Sequence, residues 1–458
     1  MMSIREAANA IDARVRGPEA RFDSVFSDSR VPVKGGLFVA LRGEHFDGHH
    51  FVREVLSQGA AAAMVDAAWA ASAGAELPLL VVDDTRRGMG LLAASWRSRF
   101  DIPLIGITGS NGKTTVKEMC AAILRTHFGA DAVLATSGNL NNDIGLPLTL
   151  LTLRPQHRAA VIEMGMNHAG EISWLTKLAR PTVAVINNAQ RAHLEGLGSV
   201  TGVAKAKGEI FEGLDDNGVA VINADDPHAE LWRGMNATRK FISFGIDNTA
   251  DVSAVLHPQG LGTAMDIQTP AGGAQLELRA PGRHNARNAL AAIAAAIATG
   301  VPLTTVTSAL SAYTGIKGRL EYKPGIKGSH VIDDSYNANP DSMAAAVAVL
   351  AGLPGKRIFV MGDMGEVGEA GAQFHDELGG YAKSMGIERL FCLGDLSVAA
   401  AHNFDGGAEH FARIDDLIKA LKRELNPATT VLVKGSRFMR MERVVEAITE
   451  NGEGQHVA

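Results

Sequence analysis

The chain has 458 residues, of which 46% are hydrophobic and 21% charged, with 44 Lys plus Arg against 50 Asp plus Glu and a formal net charge of −6. Such a length predicts roughly three folded domains, and the acidic balance without a long basic run excludes a general affinity for nucleic acid. Cys120 and Cys392, the only cysteines, lie in apolar contexts that predict buried thiols in a reducing cytoplasm; the polar N-terminus and the short alanine-rich run at 289–299 predict neither a secretion signal nor a membrane-inserted segment.

Residues 1–97 are predicted to form a first, small α/β unit. Apolar runs at 24–26, 37–41 and 79–82 predict strands, and residues 4–15, 51–58 and 86–98 predict helices. Within it, Ser27-Asp28-Ser29-Arg30 reads as a capped turn, because Asp and Ser both favour turns. An arginine beside small hydroxyl residues also suits a phosphorylated ligand.

A second unit, 98–318, opens on the stretch that organises the chain. An apolar run at 102–105 predicts a buried strand leading into Gly106-Ile107-Thr108-Gly109-Ser110-Asn111-Gly112-Lys113-Thr114-Thr115, and residues 116–124 predict a helix leading out. Glycines let backbone N–H groups approach phosphate oxygens, and the helix N-terminus adds partial positive charge. Lys113 would reach the outer phosphates and Thr114 a magnesium ion. The usual loop has glycine five residues before Gly112, where Ile107 stands. Strands are predicted at 159–164, 182–188 and 219–223, and helices near 170–179, 199–213 and 285–299. This alternation argues a parallel sheet with helices on both faces, binding ligands beyond the carboxyl ends of its strands. Glu163 and His193 should therefore face the phosphate loop, Glu163 as a ligand for a hard cation. Lys205 and Lys207 read as a solvated basic face. Asn285 reads as a helix cap or as a reader of an adenine edge. Residues 241–280, with short alternating runs, predict an antiparallel patch.

The third unit, 319–458, has apolar runs at 331–334, 358–363, 390–395 and 430–435, each ending in Asp or Gly, with helices between. They predict a second doubly wound, Rossmann-like α/β domain. Arg319 stands at the boundary, where it would swing into a phosphate site or form an interface salt bridge. Asp334 suits ribose hydroxyls, or a helix N-cap.

Together these features resemble the Mur ligases of peptidoglycan synthesis, ATP-dependent amide-forming enzymes, along nearly the whole chain. Residues 108–115 resemble that family's TGTNGKTT loop, with Ser110 where Thr is usual. Residues 37–49, 138–147, 187–195, 334–343 and 362–366 resemble the branch that adds D-alanyl-D-alanine to UDP-N-acetylmuramoyl-tripeptide. The resemblance implies three α/β domains and a monomer using ATP and Mg2+. It implies a uridine site at Asp28, Ser29 and Arg30, and a nucleotide loop of Gly109, Ser110, Asn111, Gly112, Lys113, Thr114 and Thr115. Metal ligands would be Thr114, Glu163, His193 and a carbamylated Lys207. Asn285 and Asn288 would lie beside adenine, Asp334 on ribose and Arg319 on the γ-phosphate, while Asn141, Asn142, Asn337 and Asn339 would face substrate. Lys113, Glu163, His193 and Arg319 would carry the chemistry. Another Mur-type ligase, a folylpolyglutamate-type ligase and a P-loop ATPase switch without ligase activity share the nucleotide features; the first unit argues for a nucleotide-sugar substrate and against the folate enzyme.

Overall fold

A computed structural model describes residues 1–450; the last eight residues of the third predicted unit lie outside the described part. Three α/β domains follow one another, each built on its own main sheet.

In the first, the strand order is Arg14–Arg16, Leu79–Val82, Ala62–Asp66, Leu37–Val39, Val25–Phe26, parallel except for the first. Strand Ala62–Asp66 was not predicted. It is alanine-rich, and alanine's helical preference masks a segment whose five residues are all buried. The helix predicted over 4–15 stops at Ile11, because Asp12 turns left-handed (φ 54°) and the chain then joins the sheet at Arg14.

The central sheet has nine strands, with Leu104–Thr108 between Val183–Ile186 and Ala159–Glu163. The predicted antiparallel patch is present as Val252–Gln259, Gly262–Thr269 and Gly272–Leu278, which extend this same sheet as a meander. Strand Leu104–Thr108 starts later than predicted and runs through Gly106. A side chain at 106 would crowd Met164 and Pro181, so Gly106 serves sheet packing and the phosphate loop proper is 109–112. Helix Lys113–Phe128 packs on helix Arg283–Ala298, whose residues 289–296 are fully buried.

The third sheet has the order Glu321–Pro324, His330–Asp334, Thr429–Lys434, Lys356–Gly362, Arg389–Leu393, Ala408–Phe411, parallel but for the first strand. Its two edge strands escaped prediction because both are largely polar.

The domains are joined in two different ways. One continuous apolar core runs from Met2 and Ile4 through Leu92 and Trp96 to Leu150, Leu175 and Trp232, so the first and central domains share an interior. Trp96 Nε1 donates to the Leu153 carbonyl, and the buried Arg97 guanidinium to that of Ala179. The third domain has cores of its own, to which, among the described residues, the central domain adds only Leu261. Its contacts with the central domain at the cleft include the polar pairs Arg191–Asp341, Asn111–Asn339 and His193–Glu366, with Val349 close to Gly282 and Phe374 under Arg191.

Candidate active site

Strand Leu104–Thr108 ends at the turn 109–112, where helix Lys113–Phe128 begins. Gly112 is left-handed (φ 77°), and a Cβ there would lie 2.4 Å from Asn288 Oδ1 and 2.5 Å from Asn187 Nδ2, so only glycine fits. No side chain caps this helix, which leaves its first N–H groups for an anion. The turn is braced from the strand beside it. Asn111 N donates to Asn188 Oδ1 (2.8 Å), Ser110 N to the Asn188 carbonyl (3.0 Å), and Asn187 Nδ2 to the Asn111 carbonyl (2.8 Å). Lys113 Nζ folds onto the Gly109 carbonyl at 2.8 Å. Burial lowers its pKa, with Glu163 opposing and Arg319 reinforcing the shift.

Glu163 ends the adjacent strand and is 2% exposed. Asn141 Nδ2 donates to its Oε1 at 2.7 Å, while its Oε2 is buried with no partner. A buried carboxylate oxygen without a donor is costly unless a cation takes it. His193, left-handed at φ 57°, shares the cleft with Glu163, but its Nδ1 lies 3.2 Å from Glu366 Oε2 of the third domain. Among the described residues, no group of three or more His, Cys, Asp or Glu is set to hold a metal.

Lys205 is exposed as predicted, whereas Lys207 is not on a solvated face. It is 1% exposed, forms no ion pair among the described residues, and burial together with Lys113 pushes its ammonium well below the usual lysine range.

Around these groups lies a cleft of about 730 Å3 between the central and third domains. Its floor is the phosphate loop with Glu163, Asn141 and Asn142; its roof is Tyr336 to Asn339, residues 365–367 and residues 436–438. Arg319 reaches from the inter-domain segment to Thr114 Oγ1 (3.1 Å), with its guanidinium 4.4 Å from the Tyr336 ring centroid. It makes no interface salt bridge among the described residues.

Beside Arg319 is a smaller recess of about 120 Å3, lined by Thr115, His284, Asn285, Asn288, Asp334 and Lys434 among others. Asn285 does not cap its helix: Gly282 is the cap position, and Asn285 Nδ2 donates to the Pro281 carbonyl. Asn288 Oδ1 accepts from Asn187 (2.8 Å). Burial, with Lys434 and Arg287 nearby, pushes the His284 imidazole down to about 4. Asp334 is no N-cap either; Asn339 caps the next helix, and Asp334 accepts from Lys434 Nζ (2.7 Å) and Leu320 N. Burial raises its pKa against the pull of Lys434.

Asp28, Ser29 and Arg30 form a turn outside this cleft, with Asp28 and Arg30 exposed and Ser29 half-buried. Asp28 accepts from Arg30 N, Nε and Nη2, and these bonds hold its carboxyl down at about 2.

Three contacts that sequence reasoning missed fasten the roof to the floor. Asp341 accepts from Arg191 N (2.8 Å), Nε (3.0 Å) and Nη2 (2.8 Å). Asn111 and Asn339 exchange amide hydrogen bonds of 3.2 and 2.8 Å. Glu366 takes His193. Lys434, also unforeseen, ties Asp334 to the Asn337 carbonyl. The only signal for the three fastenings was that their residues fall inside the motif stretches; Lys434 lies outside them, at the end of the apolar run 430–435.

Three family models match the chain: the Mur ligase family, catalytic domain over residues 22–97, the Mur ligase middle domain over 107–296, and the Mur ligase, glutamate ligase domain over 318–437. The UDP-N-acetylmuramoyl-tripeptide--D-alanyl-D-alanine ligase of Escherichia coli K12 is 42% identical over 455 residues, covering 98% of this chain and 99% of that one. Among solved structures, MurF from Acinetobacter baumannii is 34% identical with a TM-score of 0.90, covering 97% of this chain and 98% of that one. MurF ligase from Thermotoga maritima in complex with ADP is 27% identical with a TM-score of 0.84, covering 93% and 97%.

Proposed function

The chain belongs to the Mur ligase family, and we propose that it joins D-alanyl-D-alanine to UDP-N-acetylmuramoyl-tripeptide, converting ATP to ADP and phosphate. The observation that carries this reading is similarity over the whole chain, first domain included, to a ligase of that specificity. The cleft supplies the chemistry.

The triphosphate lies on the 109–112 turn, with Lys113 leaving its loop carbonyls for the outer phosphates. Adenine and ribose enter the recess at Asn285, Asn288 and Asp334. The uridine diphosphate end of the precursor sits at Asp28, Ser29 and Arg30, and its peptide passes Asn141 and Asn142 toward the γ-phosphate. The terminal carboxylate of the tripeptide attacks that phosphorus, giving an acyl phosphate and ADP. Lys113 and Arg319 face the charge that spreads over the transferring group. The dipeptide amine then attacks the acyl carbon near Asn337 and Asn339, and the tetrahedral intermediate expels phosphate.

Were Mg2+ to bind, the partnerless Glu163 Oε2, the Thr114 hydroxyl and His193 would hold it; Lys207, whose ammonium burial disfavours, would join them were CO2 to add to it as a carbamate. When bound, the ion would neutralise phosphate charge.

An acyl phosphate is lost to water, so the cleft must close before transfer. Sharing one core, the first two domains move as a unit; the third, attached mainly through polar contacts, is the part that opens. No helix among the described residues is long and apolar enough to cross a membrane. We place the enzyme, as a monomer, in the cytoplasm, where ATP is available.

Phosphate release and product mass test the reading. Release should require UDP-tripeptide and, with D-alanyl-D-alanine present, match the pentapeptide product one to one. Release independent of both substrates would sink it in favour of an ATPase without ligase activity.

A further inference from the structure

The incoming dipeptide is a zwitterion, and its two charged ends need partners on the cleft wall. Burying an unpaired carboxylate is costly, and a guanidinium is the side chain that meets one along two N–H bonds. Six cationic or imidazole side chains line the cleft: Lys113, Arg191, His193, Arg319, Lys434 and Arg437. Five are committed. Lys113 is on the loop carbonyls, Arg191 is gripped by Asp341, His193 by Glu366, Arg319 is on Thr114, and Lys434 lies between Asp334 and the Asn337 carbonyl.

Arg437 differs. Its side chain is 64% exposed, and its one ionic partner among the described residues is Glu442 on the following helix (3.1 Å). Such an exposed pair is weak and readily shared with a ligand. The backbone beneath it is firmly built. Arg437 N donates to Asn337 Oδ1, while Ser436 Oγ accepts from Gly365 N (2.7 Å) and donates to the Ala338 carbonyl (3.2 Å). One hydroxyl thus ties together the three roof segments. On the same roof, Glu366 is held left-handed (φ 58°) with its carboxylate on His193 and within the field of Lys113, on the phosphate side of the cleft.

We propose that Arg437 binds the terminal carboxylate of the dipeptide while Glu366 faces its ammonium, so that the dipeptide lies along the roof with its amine toward the acyl phosphate. The order of charges matches the chemistry, since the amine must reach the reacting end and the carboxylate must not. This inference rests on the ligase reading above.

Full-length enzyme, ATP and UDP-tripeptide test it, with D-alanyl-D-alanine compared against its C-terminal amide, which lacks the negative charge. For the wild type, kcat/KM for the amide should be roughly 30-fold below that for the acid, the size of one charge-assisted contact. In Arg437→Ala the acid should fall to the amide's level, with KM for ATP and UDP-tripeptide unchanged. Arg437→Gln gives the same reading should the alanine variant not fold. Glu442→Gln, which breaks the helix ion pair and keeps the guanidinium, should retain the discrimination. A wild-type acid-to-amide ratio in Arg437→Ala or Arg437→Gln overturns the assignment while leaving the ligase intact. Failure of the wild type to couple D-alanyl-D-alanine at all overturns the ligase reading and this inference with it.

Discussion

Asp341→Asn is the sharpest test of how the cleft stays dry. The Asp341 carboxylate accepts three N–H groups of Arg191 at 2.8–3.0 Å across the boundary between central and third domains. Each charge-assisted bond would be worth about 1.5–3 kcal/mol in isolation, but the three share one pair of charges. Arg191 is also 37% exposed and keeps Glu377 at 3.5 Å. An asparagine oxygen can still accept the backbone N–H, so the loss is the ionic part, about 2 kcal/mol after allowing for solvent screening. That corresponds to a fall of roughly 30-fold in the closed-to-open ratio. The assay is the number of phosphates released per pentapeptide formed, with X-ray scattering on the complex with UDP-tripeptide and an ATP analogue. Wild type should stay near one phosphate per product and contract on binding. The variant should waste ATP as acyl phosphate meets water, and should contract less. Asp341 also sits in the first turn of helix Pro340–Ala351, where losing its charge costs about 0.5 kcal/mol through the helix dipole. Arg191→Ala separates the two effects: it should reproduce the leak, and the double variant should leak no more than either single one. Tight coupling and unchanged scattering in Asp341→Asn would refute the clasp.

Arg319→Ala should lower kcat by roughly two to three orders of magnitude with a smaller effect on KM for ATP, and Arg319→Lys should restore only part, because lysine lacks the planar fork; near-normal turnover in Arg319→Ala would remove it from phosphoryl transfer. Burial and the Lys113 charge push the Lys207 ammonium well below the usual lysine range, which favours CO2 uptake, so 13C-bicarbonate should give wild-type enzyme a carbamate resonance that Lys207→Ala lacks, and spectra without that difference would rule the modification out. His375 is fully buried, its Nδ1–H donating to the Gly371 carbonyl and its Nε2 accepting from Met364 N, and burial lowers its pKa from the ordinary 6.5. The unfolded chain therefore binds a proton that the folded one refuses, so this stability is complete above pH 6.5 and is lost as pH falls through the lowered value. Tm should drop between pH 7 and pH 5, and His375→Gln, though less stable at pH 7, should show a shallower drop; parallel curves would refute the assignment.

Much of the architecture was legible because it is local. Strands Ala159–Glu163, Val219–Asn223 and Thr429–Lys434 are unbroken runs of β-branched and small apolar residues, the mark of strands buried on both faces. Gly112, Lys113 and Thr114 are adjacent in sequence and act together in space. Legibility failed where two local preferences conflict, as in Ala62–Asp66, whose alanines say helix while its burial says strand. Lys207 misled for a related reason: lysine belongs outside, and only the packing of helix Val200–Gly208 puts it within. Asn285 was legible as a polar residue at a helix start, but a shift of the start to Arg283 left it inside the first turn with nothing to cap.

The clasp was invisible for a deeper reason. Arg191 and Asp341 are 150 residues apart, Asn111 and Asn339 are 228, and each is a single polar residue in a loop or at a helix start. Apolar periodicity reveals surfaces that are buried permanently, because only those must repeat along the chain. A surface that has to part in every cycle cannot be built that way, since separating it would expose apolar area to water. It is built from a few polar pairs, whose members return to water at small cost and leave no pattern in the sequence. The joint between the first two domains carries the opposite signature, with Trp96, Leu150 and Leu175 in one core. On the closure proposed above, the difference between the readable joint and the unreadable one is thus the difference between the part of the enzyme that stays fixed and the part that moves.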